Sequence, residues 1–203
     1  MKENRGMNRR RLAALAAALL ALSGCGAKYA LVPPAPVSVA KGGMTVTPGM
    51  AWNRIPKGGY DIAWEENWTE NGPLLDSMGF VAGLPDGQAI AKQRKKDDRK
   101  VPVFRADMSP QDLVSMIESF YRIKAGATVF TADAVAPATF LGRPGLQFDY
   151  SYVGGDQVGR RGRAVMAVVD GKFYLASLDG TALHYFDAAL PEFTAVTQSA
   201  RLG

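Results

Sequence analysis

Much nucleophilic and metal chemistry uses cysteine, histidine or clustered carboxylates, and these 203 residues hold one cysteine, Cys25, and one histidine, His184. His184 stands at the start of a predicted last helix, beside its apolar stripe. As a general base it would need a nucleophile and an orienting partner, and no Gly-x-Ser-x-Gly motif occurs. As a metal ligand it has no second histidine to help it. It reads as a surface or partly packed residue. Glu65-Glu66 and Asp97-Asp98 are adjacent carboxylate pairs. Neighbours in a strand point to opposite faces, so Glu65 and Glu66 should not share a site. Asp97 and Asp98 lie among Lys92, Arg94, Lys95, Lys96, Arg99 and Lys100 and read as local charge balance. Asp156, in a Gly-Gly-Asp turn, is too few ligands for calcium. Gly154-Gly155 and Gly58-Gly59 lack the strand–loop–helix context of a phosphate loop. No residue is therefore assigned to catalysis, a cofactor or a metal, and the sequence reads as a non-enzyme.

Two basic clusters and three tryptophans remain as candidate binding features. Lys92 to Lys100 and Arg160-Arg161-Gly162-Arg163 would, if they met, make one positive face for anionic headgroups. Separate, they are solubilising segments. Trp52, Trp64 and Trp68 line a ligand pocket or a partner surface on one reading, and fill the core on the other.

Cys25 carries the clearest chemical signal. Arg9-Arg10-Arg11 precedes an uncharged apolar run, Leu12 to Leu22. A basic segment before a short apolar one is the layout of a secretory signal, and a spanning helix needs about 20 apolar residues. Met7 is an alternative start that leaves this layout intact. Leu22-Ser23-Gly24-Cys25 resembles the bacterial lipobox. The resemblance implies diacylglyceryl transfer to the Cys25 thiol, cleavage before Cys25, and acylation of the new N-terminus. With its only thiol lipidated, the chain has no disulfide and no cysteine metal site. Several acyl chains anchor far better than one, since each buried methylene adds about 0.8 kcal/mol. Gly26 follows the cysteine where an Asp would retain a lipoprotein in the inner membrane, which favours the periplasmic side of the outer membrane.

Charge supports the division. The chain has 24 Lys+Arg and 19 Asp+Glu, a net of +5. Residues 1–24 hold five basic residues and one acidic residue, leaving 19 against 18 beyond them. Such a near-neutral domain is not a nucleic-acid binder.

The elements that would position any site begin after residue 24. Residues 25–43, with Pro33, Pro34, Pro36 and Gly42-Gly43, read as the lipidated cysteine and a flexible tether. Residues 44–203 read as one domain. Strands are expected at 44–47, 60–69 and 74–82, a long polar loop at 83–100, and a short strand at 101–104. Ser109, Pro110 and Asp112 start a helix whose apolar face is Leu113, Met116, Ile117, Phe120 and Tyr121. Strands follow at 128–140, 146–153, 163–169 and 172–178. The last two are joined by Asp170-Gly171, a strong hairpin signal, and Gly142 to Gly145 reads as a turn. Ala164 to Val169 is apolar on both faces, as in a strand covered on both sides. A final helix from Thr181 to Gln198 buries Leu183, Phe186, Leu190, Phe193 and Val196, with Pro191 expected to kink or split it. Hairpins dominate and no βαβ rhythm appears. The fold class is α+β, an antiparallel sheet sandwiched by helices.

The capped helix, the strand with Gly142-Arg143-Pro144-Gly145, the hairpin from Phe148 to Leu178 and a last helix with Tyr185-Phe186 and Phe193 are similar to the PsbP-like fold. That fold is shared by a photosystem II extrinsic protein, a Ran-binding nuclear import factor and several bacterial lipoproteins. The resemblance covers residues 105–202 well and 44–100 loosely. It implies a non-enzymatic binding or assembly module with a protein partner, and carries over no functional residue. The competing expectations are a carrier or sensor for an apolar ligand and a periplasmic hydrolase.

Overall fold

The computed structural model describes residues 28–95 and 99–203, so Cys25, the signal segment, Lys96, Asp97 and Asp98 lie outside the described residues. Among the described residues eleven strands form in chain order: β1 Ala30–Val32, β2 Val37–Val39, β3 Met44–Val46, β4 Trp52–Arg54, β5 Glu65–Thr69, β6 Asp76–Pro85, β7 Val129–Phe140, β8 Arg143–Val153, β9 Gly159–Val169, β10 Lys172–Thr181 and β11 Arg201–Leu202. Helix α1 is Pro110–Lys124 and helix α2 is Tyr185–Ser199. The main sheet has the order β1-β4-β5-β6-β10-β9-β8-β7, and a small sheet has the order β11-β3-β2. Every neighbouring pair is antiparallel.

One helix covers each face of the main sheet, and the side-chain period of two sorts the residues between them. On the α2 face Trp52, Trp68, Phe80, Val165, Ala167, Phe186 and Phe193 pack together. On the α1 face Phe104, Ile117, Phe148, Ala164, Met166 and Phe173 do so. Strand β9 is thus buried from both sides, as its unbroken apolar run requires. Helix α1 begins in a reciprocal cap. The Ser109 side chain accepts from the Asp112 amide, and the Asp112 carboxylate accepts from the Ser109 amide. This satisfies two amides that the first turn leaves without helical partners. Asp170 and Gly171, both at positive φ, make the tight β9–β10 turn.

Several boundaries differ from those expected. The Pro-rich segment is not a tether within the described residues. β1 pairs with β4, β2 pairs with β3, and Val32 and Val39 are fully buried. Pro33, Pro34 and Pro36 occupy the gap between β1 and β2, where no ladder needs their missing amide. The domain therefore begins by residue 30, not 44. Residues 60–64 are turn and irregular backbone, so the strand expected at 60–69 shortens to β5. The expected loop 83–100 holds the end of β6 and a packed arm. Ile90 and Ala91 are buried, and Phe104 donates its amide to Gln88 at 2.9 Å. The β7–β8 turn falls on Leu141 and Gly142 rather than 142–145. Helix α2 starts four residues later than expected, which leaves Leu183 98% exposed. It passes through Pro191 unsplit. Asp187, whose carbonyl loses a partner there, is exposed and can turn to water.

Candidate functional site

Helix α1 lies over the β7–β8 side of the sheet and leaves part of β5, β6 and β10 uncovered. The space between them is a cavity of about 490 Å³. Its sheet side follows from parity. Glu65 and Asn67 of β5, Gly79 and Val81 of β6, and Leu175, Ser177 and Asp179 of β10 all project toward α1. Phe120, Tyr121 and Lys124 close it from the helix. Asn67, Gly79 and Ser177 stand opposite one another across three strands. A Cβ at Gly79 would lie 2.9 Å from both Asn67 Oδ1 and Ser177 Oγ, so glycine gives these polar tips room.

Asp179 is the centre of one buried polar group. The Tyr121 hydroxyl donates to it at 2.7 Å and the Tyr150 hydroxyl at 2.9 Å, while the two hydroxyls lie 2.6 Å apart. Tyr150 reaches it from β8 by crossing β9 over Gly162, where a Cβ would stand 2.2 Å from the Tyr150 Cζ. Burial pushes the Asp179 carboxyl up to about 6, against the pull of the tyrosine hydroxyls and the nearby Arg160 guanidinium. Burial and the Asp179 charge raise Tyr121, Tyr150 and Tyr152 far above the usual phenol range, so all three are donors at physiological pH.

A second polar group lies toward the β5 side. Lys124 binds Asp61 Oδ1 at 2.5 Å and also pairs with Glu65. Asn67 donates to Glu65 at 2.9 Å. Burial raises Glu65 above the usual carboxylate range despite Lys124. Burial pushes the less enclosed Asp61 the same way, but the Lys124 ammonium and the Gly58 amide outweigh it and hold Asp61 low. At the far end, Asp156 is held low by its bonds to Arg160, which also donates to the Leu74 carbonyl at 3.0 Å. The lining thus presents carboxylates at both ends, cations at Lys124 and Arg160, and hydroxyls between them.

The residues singled out by sequence are scattered. His184 is exposed at the start of α2, its ring 5.3 Å from that of Tyr185, outside the cavity. Glu65 and Glu66 do point to opposite faces. Glu65 enters the cavity, whereas Glu66 accepts from Arg54, the Trp68 indole and the Ala40 amide. Trp52 and Trp68 are core residues of the α2 face, Trp64 packs at the edge of the α1 face, and none lines the cavity. The basic clusters do not meet. Arg160, Arg161 and Arg163 lie on β9, paired with Asp156, Asp187 and Asp149. Among the described residues no group of His, Cys, Asp and Glu is arranged to hold a metal, and no helix is long and apolar enough to cross a membrane.

Sequence reading missed Tyr121, Lys124, Ser177 and Asp179. The available signal was polar residues at inward positions. Ser177 and Asp179 continue the parity of Phe173 and Leu175, which are buried against α1.

No family model and no curated protein matches the sequence. Among solved structures, cyanobacterial PsbP (CyanoP) from Synechocystis sp. PCC 6803 superposes with a TM-score of 0.55 at 14% identity. The match covers 90% of this chain and 99% of that one. The fold is PsbP-like. Looser likenesses are the Ran-binding protein Mog1p of Saccharomyces cerevisiae and LpqN of Mycobacterium tuberculosis, which is involved in cell envelope biogenesis. Mog1p gives a TM-score of 0.44 at 8% identity, covering 87% of this chain and 96% of that one. LpqN gives 0.33 at 11%, covering 89% and 87%.

Proposed function

We propose that this chain is a lipid-anchored protein of the bacterial cell envelope, facing the periplasm from the outer membrane, that acts as a non-enzymatic binding module. The lipobox-like Leu22-Ser23-Gly24-Cys25 supports the address. The cavity carries the binding role. It is of ligand size, and its polar groups are tied to one another as a recognition surface rather than as a nucleophile beside a base. Asp61, Glu65 and Asp179 outnumber Lys124, with Arg160 already matched by Asp156. Leu75, Val81, Phe120 and Leu175 make much of the wall apolar, with these polar groups set into it, so a small ligand with an apolar body and hydrogen-bond donors suits the lining.

The test is to incubate the purified mature chain with an envelope extract and examine it by native mass spectrometry. A discrete adduct is expected, and Gly79→Leu, which fills the cavity beside Asn67 and Ser177, should abolish it while the circular dichroism stays unchanged. An adduct retained by Gly79→Leu would place the ligand elsewhere.

A protein partner is the second reading. Leu74, Val158 and Leu183 are exposed on adjoining loops, joined by the bonds from Thr181 to Leu75 and from Ala182 to Gly159. Affinity capture from membranes followed by mass spectrometry tests it.

A further inference from the structure

The strand register shows which end of the domain receives the anchor. β1 runs antiparallel to β4 with Val32 opposite Trp52 and Ala30 opposite Arg54. Traced backward from Ala30, the chain therefore heads past Ile55 toward the loop that follows β4. That loop carries the basic arm. The Lys92 amide donates to the Tyr60 carbonyl at 2.8 Å, and the Arg94 guanidinium lies over the Tyr60 ring at 4.8 Å. Only four residues lie between Cys25 and Ala30, and the five steps reach at most about 18 Å. A lipid on Cys25 would hold this end close to the bilayer.

We propose that this end is a docking surface for anionic lipid headgroups, formed by Lys28, Lys92, Lys95, Arg99 and Lys100. All five are exposed, and among the described residues no carboxylate lies within ion-pair distance of any of them. At the opposite end of the sheet Glu70 is exposed on the β5–β6 loop, while the cations Arg160 and Arg161 are matched by Asp156 and Asp187. An anionic surface attracts the end with these five unpaired cations, whereas the arginines at the other end are already matched, so charge favours the orientation that the tether sets. Arg160, Arg161 and Arg163 take no part, being on β9 and already paired. The proposal rests on the lipidation of Cys25 for its biological setting, but the surface itself is testable without lipid.

The experiment uses the mature chain from residue 25 with Cys25→Ser, mixed with vesicles of phosphatidylglycerol and phosphatidylcholine or of phosphatidylcholine alone. Co-sedimentation is expected only with the acidic vesicles, and added salt should reverse it. Lys92→Ser with Lys95→Ser should weaken binding about fivefold per lysine, roughly thirtyfold together. Arg122→Ser with Arg161→Ser makes the same change in net charge toward the other end and should weaken it less than threefold. Equal losses from the two double variants, or no binding to acidic vesicles at low salt, would overturn the proposal. Either result leaves the anchor standing, because fatty-acid labelling of Cys25 against Cys25→Ser reads that separately.

Discussion

Replacing Asp179 with Asn should change how stability depends on pH in a direction fixed by its burial. The carboxyl rises from an ordinary 3.8 to about 6 in the fold. A difference of about two units, at 1.36 kcal/mol each, is on the order of 3 kcal/mol. An acid whose pKa is raised binds its proton more tightly when folded. Its contribution is therefore most favourable below the unfolded value and is lost as pH rises through about 6. The Asp179→Asn variant carries no titrating group there. Its bonds with Tyr121 and Tyr150 change by an amount that does not depend on pH in this range, because both phenols stay protonated. Urea unfolding of both proteins from about pH 4 to pH 7 should show the wild type losing on the order of 3 kcal/mol relative to the variant. Asp61, Glu65 and Asp156 titrate in both and cancel in the difference. A gap that stays flat, or one that moves in favour of the wild type as pH rises, would refute the assignment of Asp179 as a buried, desolvated acid.

Lys124→Met leaves Glu65, 2% exposed, as an uncompensated buried charge and should cost about 3–5 kcal/mol near neutral pH. Glu65 is already raised by burial and would rise further, so the deficit should shrink as pH falls. Glu65→Gln should restore much of it in thermal melts. Gly162→Ala should cost about 2 kcal/mol by driving the Tyr150 ring off its seat, and the cost should nearly vanish in a Tyr150→Leu background, read as a double-mutant cycle. A chain starting at Gly43 should lose several kcal/mol in urea unfolding, since Val32 and Val39 alone bury about 1.5–3 kcal/mol each. A chain starting at Ala27 should match the mature protein.

Local signals in the sequence were sufficient where local physics decides. Ser109, Pro110 and Asp112 start α1 because a cap is a contact among neighbours. Asp170-Gly171 places a hairpin because its backbone conformation is local. The unbroken run from Ala164 to Val169 announced a strand buried on both sides. Long-range pairing was not legible in this way. Ala30–Val32 and Val37–Val39 are too short to show a period, and only their partners in β4 and β3 make them strands. The cavity was hidden for a related reason. Asp179, Tyr121 and Tyr150 come from a strand, a helix and another strand, and Gly162 matters only because Tyr150 crosses it. Leu183 followed helical spacing on paper, yet the chain at Thr181 is still in β10, so the helix starts beyond it.

The address proposed from Leu22-Ser23-Gly24-Cys25 underlies both the proposed role and the proposed docking of the basic end. Intact-mass spectrometry of the protein extracted from its native membranes tests it most directly. The expected species begins at residue 25 and carries the mass of a diacylglyceryl group and a further acyl chain on Cys25. A species that retains residues 1–24, or one that begins at an unmodified Cys25, would contradict it.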